Sequence, residues 1–483
     1  MFATLLLALC AVALLAPIVA TVVVRYRERD SVSDAQKIAR TLGIIRSSTP
    51  TDRKVLKVLF YGQSITKSGW DKTVIEHWHK QYPNTVFVVQ NRALGGFASQ
   101  ALVRATEQDI AAFYPDLIIF HVYGDHHAYE KIIRLFRSRT AADIIVQTDH
   151  GDVMPDPRCA EGISFSISRR PGCAGRLWHH QRMWNDEMSY HKIPTLAKKY
   201  GLALEPQRDW WREYLIRTGT NPRDLLVDEI HPNDRGKELI AEFFNRYFDG
   251  LVSQYNGETE HDVTAIEPTD AERASGEEIV HFEGSRLELV SEKPLSAWPA
   301  VTVDGQIPAS LDGCYQVSRA SSTSTVPDWP AVRRIVLAHD HTAEDWAATL
   351  TDFSPDQKDF AFSIQGAKSG PEGSGRSGQH FVSTSGNLVI EPDDWMVERA
   401  WEHTHVALHG PLQVTWSVSY VCGGEPEVID RGDGAKEYRY VLATGLADKD
   451  HSITLKGPVE DFQAIDHLTA YRPRIHEIET VVG

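Results

Sequence analysis

The segment Val55-Leu56-Lys57-Val58-Leu59-Phe60-Tyr61-Gly62-Gln63-Ser64-Ile65-Thr66 decides how this chain is read. Its first seven residues are apolar but for one lysine, as a strand covered on both faces should be. Gly62 then breaks the run, and the residues after it suit a helix start. A serine on a tight strand-to-helix turn, beside a glycine that admits close backbone approach, is well placed as a nucleophile. Alone the signal is weak, because a serine capping a helix after a strand is commoner than a catalytic one.

Outward from this segment, apolar runs alternate with helical patterns as far as about Gly250. Strands are expected at Val55–Tyr61, Val86–Gln90, Leu117–Val122, Ile144–Gln147 and near Leu202–Leu204. Helical spacing falls at Asp71–Gln81, Ser99–Phe113, Ala128–Ser138 and His179–Tyr200, and a last helix follows Asn233 as its N-cap. This alternation predicts an α/β fold with a parallel sheet over residues 54–250. Thr148–Trp178, rich in Gly, Pro, Asp and Arg and without a clear period, reads as a long loop, either a functional lid or disordered. Residues 251–278 are acidic and aperiodic and read as a linker. Beyond them, over 279–483, period two takes over (Leu287–Val290, Phe360–Ile364, Val414–Tyr420, Tyr438–Leu442 and His451–Leu455 among others), which predicts an all-β sandwich.

At 483 residues, two soluble domains are the natural expectation. Charged residues make up 24% and hydrophobic ones 42%, as in ordinary globular proteins. A net charge of −16 argues against a nucleic-acid partner, which would need concentrated Lys and Arg. Ala3–Val24 carries no charge and is long enough to cross a bilayer, so residues 1–30 read as a membrane anchor, with a cleaved signal sequence as the competing reading. Arg25, Arg27 and Arg29 would hold a following domain in the cytoplasm. The cysteines point the other way. Cys10 lies in the apolar run, and the other four fall two by two, Cys159 with Cys173 and Cys314 with Cys422. That count permits two disulfides in an oxidising compartment, although four separate buried thiols also fit it. A periplasmic or extracellular catalytic domain is the reading adopted, with the cytoplasmic orientation left open.

Two further blocks stand at expected strand ends, where ligands bind in open α/β sheets. Asp228-Glu229-Ile230-His231-Pro232 precedes the last helix and can supply a base with a carboxylate to orient it. Asn91-Arg92-Ala93-Leu94-Gly95-Gly96-Phe97-Ala98-Ser99 follows the second strand, and its backbone N–H groups can face an oxyanion. In this order the three blocks are far more specific than any one of them. Here the chain resembles the SGNH/GDSL hydrolase superfamily, over about residues 54 to 250. The resemblance implies a flavodoxin-like parallel sheet, with Ser64 as nucleophile, His231 as base and Asp228 as its orienter. It also implies an oxyanion hole built from the N–H groups of Ser64 and Gly96.

Two departures from the family pattern matter. Gln63 stands where the family has an Asp. In Tyr123-Gly124-Asp125-His126-His127, His126 stands where the family has an oxyanion Asn. A neutral imidazole can donate one N–H, so His126 is the third oxyanion candidate; a packing role, or a slip by one residue to His127, stays open. Gln63, Asp149 and His150 are candidates for the substrate pocket. Trp178-His179-His180 lacks a third spaced ligand, so no metal is expected, and no cofactor motif is present.

The expected function is hydrolysis of short acyl esters, O-acetyl in the first place, on a carbohydrate, through a Ser-His-Asp triad and an acyl-enzyme, with an acylated small molecule or polysaccharide as substrate. A lipid esterase or O-acyltransferase with the same triad, and an inactive glycan-binding protein, are the alternatives.

Overall fold

The computed structural model describes residues 33–154, 180–257, 262–322, 329–338, 342–423, 425–432 and 434–474. The membrane anchor and the Cys159–Cys173 pair expected from the sequence lie outside these residues. Among the described residues, no helix is long and apolar enough to cross a membrane.

The first part is an α/β layer structure around five parallel strands: β1 (Val55–Gly62), β2 (Val86–Asn91), β3 (Leu117–His121), β4 (Asp143–Gln147) and β5 (Ala203–Glu205). Their order is β2-β1-β3-β4-β5. β1, β3 and β4 are buried along their whole length, as expected for strands with helices on both faces. On one face Trp70, Trp78, Phe244 and Phe248 pack together between the helices Trp70–Gln81 and Asp234–Gln254. Asn233 caps the latter helix, its side chain accepting from the Gly236 N–H at 3.0 Å. The order turns back between β1 and β3, and it is outside such switch points, at the C-terminal strand ends, that open α/β sheets bind ligands.

The helical stretch expected at Ser99–Phe113 is two helices, Ser99–Leu102 and Thr106–Phe113. The one expected at His179–Tyr200 is His180–Glu187 and Ile193–Lys199, joined by a π-helical turn at Met188–Lys192.

The second part is all β, but its plan differs from one sandwich behind a linker. The stretch expected as linker holds the strand Val263–Ile266, which pairs with Ile465–Tyr471, and a capped helix at Asp270–Ser275. A six-stranded sheet combines Val263–Ile266, Glu277–Ser291 and Ala300–Val303 with Glu427–Gly432, Ala435–Lys456 and Ile465–Tyr471. Two of these strands bend through register shifts, so segments that read as separate strands in sequence form one. Between its halves is inserted a second unit, with a seven-stranded and a three-stranded sheet formed by residues 315–420. Cys314 and Cys422 form a disulfide across the two ends of that insertion.

The insertion packs directly on the α/β part. One apolar cluster runs from Leu59, Leu94, Phe97 and Phe120 into Trp329, Trp346, Trp395 and Trp416. Polar clamps flank it. Arg104 makes a two-pronged bond to the fully buried Asp394, at 2.5 and 2.8 Å, and Arg319 grips Asp109 at 2.8 Å through both Nε and Nη2.

Candidate active site

Ser64 opens the short helix Ser64–Lys67 immediately beyond β1. The turn exists because Gly62 has no side chain. A Cβ there would lie 1.9 Å from the His121 carbonyl oxygen of the adjacent β3 and 2.5 Å from Thr66 Oγ1. The Thr66 hydroxyl donates to that same carbonyl at 3.2 Å, which fixes the helix start over the sheet edge.

His231 approaches from the loop before the last helix. Its Nε2 lies 2.9 Å from Ser64 Oγ, and its Nδ1 lies 2.7 Å from Asp228 Oδ2. The other Asp228 oxygen accepts the backbone N–H groups of Ile230 and His231, each at 2.7 Å. Partial burial alone would raise the Asp228 carboxyl. The bonds from the His231 ring and the two backbone amides outweigh it and hold the group down at about 2. Asp228 is therefore ionised at any ordinary pH and fixes the His231 proton on Nδ1, leaving Nε2 free to accept from the Ser64 hydroxyl.

The loop after β2 is tied to the same place. Arg92 and Leu94 donate backbone N–H groups to Phe60 and Gly62, at 3.0 and 2.9 Å, so the loop continues alongside β1. Asn91 Nδ2 donates to the Thr66 carbonyl at 2.9 Å. Gly96 is exposed and has φ of +76°, a conformation that favours glycine. The insertion grips this loop from the far side. Trp329 Nε1 donates to the Gly95 carbonyl at 2.9 Å, its ring packs edge-on against Phe97, and Arg319 donates to the Arg92 carbonyl at 2.5 Å.

His126 is the first residue of the helix His126–Arg139, whose N-cap Asp125 accepts the Ala128 N–H at 2.7 Å. Its ring stacks on Trp184, with centroids 4.1 Å apart, and Trp184 Nε1 donates to the Gly124 carbonyl at 2.8 Å. Burial lowers the His126 pKa, so the ring is neutral around pH 7 and keeps one N–H to donate. Its Nε2 is buried and has no partner among the described residues.

Gln63, the N-cap of the helix Ser64–Lys67, is half-buried beside Ser64. Asp149 and His150, expected at the pocket, do not line open space: each is 6% exposed and each is held by internal contacts. His150 Nδ1 is 2.9 Å from Asp149 Oδ1, and His121 Nε2 is 3.4 Å from the same oxygen. Burial would raise the Asp149 carboxyl, but the two imidazoles hold it far below the usual carboxylate range.

Sequence reasoning missed His121, Trp184 and Trp329. His121 carried a signal, as a titratable residue ending an apolar strand. Trp184 and Trp329 carried none, because their relation to the site arises only on folding.

Five large apolar residues are exposed among the described residues of the α/β part: Val153, Met154, Trp184, Val227 and Ile230. All belong to the loops beyond β4 and before the last helix, or to the helix that reaches back to Gly124, so they rim the C-terminal edge of the sheet.

No family model matches the chain, and no curated relative does. Among solved structures it is similar to Axe2, an acetylxylan esterase from Geobacillus stearothermophilus, with 18% identity over 40% of this chain and 93% of that one, and a TM-score of 0.32. It is also similar to a two-domain esterase active on acetylated mannans, with 12% identity over 92% of this chain and 96% of that one, and a TM-score of 0.35. Similarity this distant assigns no chemistry to the chain.

Proposed function

We propose that the chain is a serine esterase that removes short acyl groups, O-acetyl in the first place, from a polysaccharide. The observation that carries this reading is the unbroken line from Ser64 Oγ through both His231 nitrogens to Asp228, at 2.9 and 2.7 Å. His231 takes the hydroxyl proton as Ser64 Oγ attacks the ester carbonyl, and the oxygen that gains charge faces the N–H groups of Ser64 and Gly96, with His126 as third donor. His231 then returns the proton to the departing alcohol and activates the water that frees the acid.

A cleft of about 610 Å³ on the insertion, lined by Asp345, Gln365, Thr415 and Ser417 together with Trp346 and Trp416, is in keeping with a polyhydroxylated substrate, whose hydroxyls and apolar ring faces such a mixed lining can meet. The Cys314–Cys422 bridge supports an oxidising compartment, in keeping with export behind the apolar Ala3–Val24 run.

The apolar rim favours a second reading, a lipid esterase with the same triad. Hydrolysis of p-nitrophenyl acetate and octanoate separates the two. The first reading expects acetate to exceed octanoate by roughly tenfold or more in kcat/KM, since a short acyl seat excludes the longer chain. The reverse preference would favour the lipid substrate, and no turnover of either ester would overturn the enzyme reading.

A further inference from the structure

The turn that carries Asp228 and His231 is poorly anchored by apolar packing. Val227 is 74% exposed and Ile230 39%, and the Asp228 and His231 side chains are 53% and 41% exposed. The turn closes on itself through the Val227 N–H to the His231 carbonyl, at 2.8 Å, and hangs from a bridge between Leu226 and Pro232. Its inner side is held differently. His150 Nε2 lies 2.8 Å from the carbonyl oxygen of Ile230, one of the two residues between the members of the pair. A carbonyl only accepts, so Nε2 carries the proton.

His150 is itself fixed from several sides. Its ring packs on Trp211, with centroids 5.0 Å apart, and Trp211 Nε1 donates to the Gly151 carbonyl at 2.9 Å. Arg208 donates to the His150 carbonyl. Asp149 accepts the His150 backbone N–H at 2.8 Å, and its own N–H is accepted by the Tyr123 hydroxyl at 2.7 Å.

We propose that His150 is a positioning residue: its Nε2–H tethers the Ile230 carbonyl to the sheet edge and holds the Asp228–His231 turn over Ser64. Its catalytic consequence rests on the esterase reading, whereas the tether itself does not. The Ile230 carbonyl belongs to the peptide whose N–H, on His231, is bonded to Asp228. Pulling on that carbonyl therefore sets the plane from which both the His231 ring and its carboxylate partner project. Misplacement of a catalytic group by about 1 Å costs on the order of a hundredfold in rate.

The test compares His150→Phe, which keeps a ring against Trp211 but has no donor, with His150→Gln, whose amide can donate to the same carbonyl. Amide hydrogen exchange over residues 227–231 reads the tether without any substrate. His150→Phe should raise exchange there roughly tenfold and lower kcat on p-nitrophenyl acetate by about ten- to a hundredfold, with KM within about twofold. His150→Gln should restore most of both. Wild-type exchange in His150→Phe would overturn the tether, as would a His150→Gln variant as impaired as His150→Phe, since packing alone would then explain both. A wild-type protein without esterase activity would overturn the function and leave the exchange result to decide the tether.

Discussion

Gly62 and Glu205 show how single positions at the sheet edge set this protein's behaviour. Any side chain at 62 would strike the His121 carbonyl, so the turn that carries Ser64 is tied to glycine at that point. Glu205 ends β5 fully buried, close to Gln147 Nε2 at 3.4 Å, and burial pushes its carboxyl up to about 8. The folded protein therefore holds a proton there that the unfolded chain, with an ordinary value of 4.5, releases. The stability this proton lends is full below about 4.5 and is lost as pH climbs from there through about 8, by about 1.4 kcal/mol for each pH unit between the two. Denaturant unfolding should accordingly show a loss of a few kcal/mol between pH 5 and pH 8. Glu205→Gln should flatten most of that slope and leave the share of Glu278, also raised by burial, to about 7. An unchanged slope in Glu205→Gln would contradict the assignment.

At the scale of elements, the loop Arg92–Phe97 is the place where the two parts of the chain meet the chemistry. It follows β1 through two backbone bonds and is gripped from the insertion by Trp329 and Arg319. Trp329→Phe removes the bond to the Gly95 carbonyl while keeping an aromatic ring near Phe97. If the Gly96 N–H serves the proposed oxyanion hole, kcat should fall by about tenfold with little change in KM, since such a donor acts chiefly in the transition state. Steady-state kinetics check this, and a rise in KM alone would place Trp329 at the substrate instead. The parallel strands were legible because each is a short apolar run between helical patterns, and the Asn233 cap was legible from its position. Glu277–Ser291 and Ala435–Lys456 were not, because bulges interrupt their period of two. The residues of the three motif blocks can be read along the sequence, each from a local pattern at a strand end. The hold of Trp329 on Gly95 and of His150 on Ile230 cannot, because it joins positions 234 and 80 residues apart through packing alone.

Across the whole molecule, the β-rich part is built into the α/β part instead of trailing behind it. One hydrophobic cluster crosses the boundary, and Arg474, fully buried near the C-terminal end of the described chain, bonds Asp143 of β4 at 2.8 Å. The disulfide spans 108 residues and closes the base of the insertion whose Trp329 and Arg319 reach the site. The proposed chemistry nonetheless rests on two residues, Ser64 as nucleophile and His231 as the base that activates it. The most direct test is covalent labelling with a fluorophosphonate, read by intact mass and peptide mapping together with residual esterase turnover. One adduct per chain is expected, on Ser64, with turnover lost in proportion and labelling slowed by about a hundredfold or more in His231→Ala. An adduct on another residue, or turnover that survives stoichiometric labelling of Ser64, would contradict it.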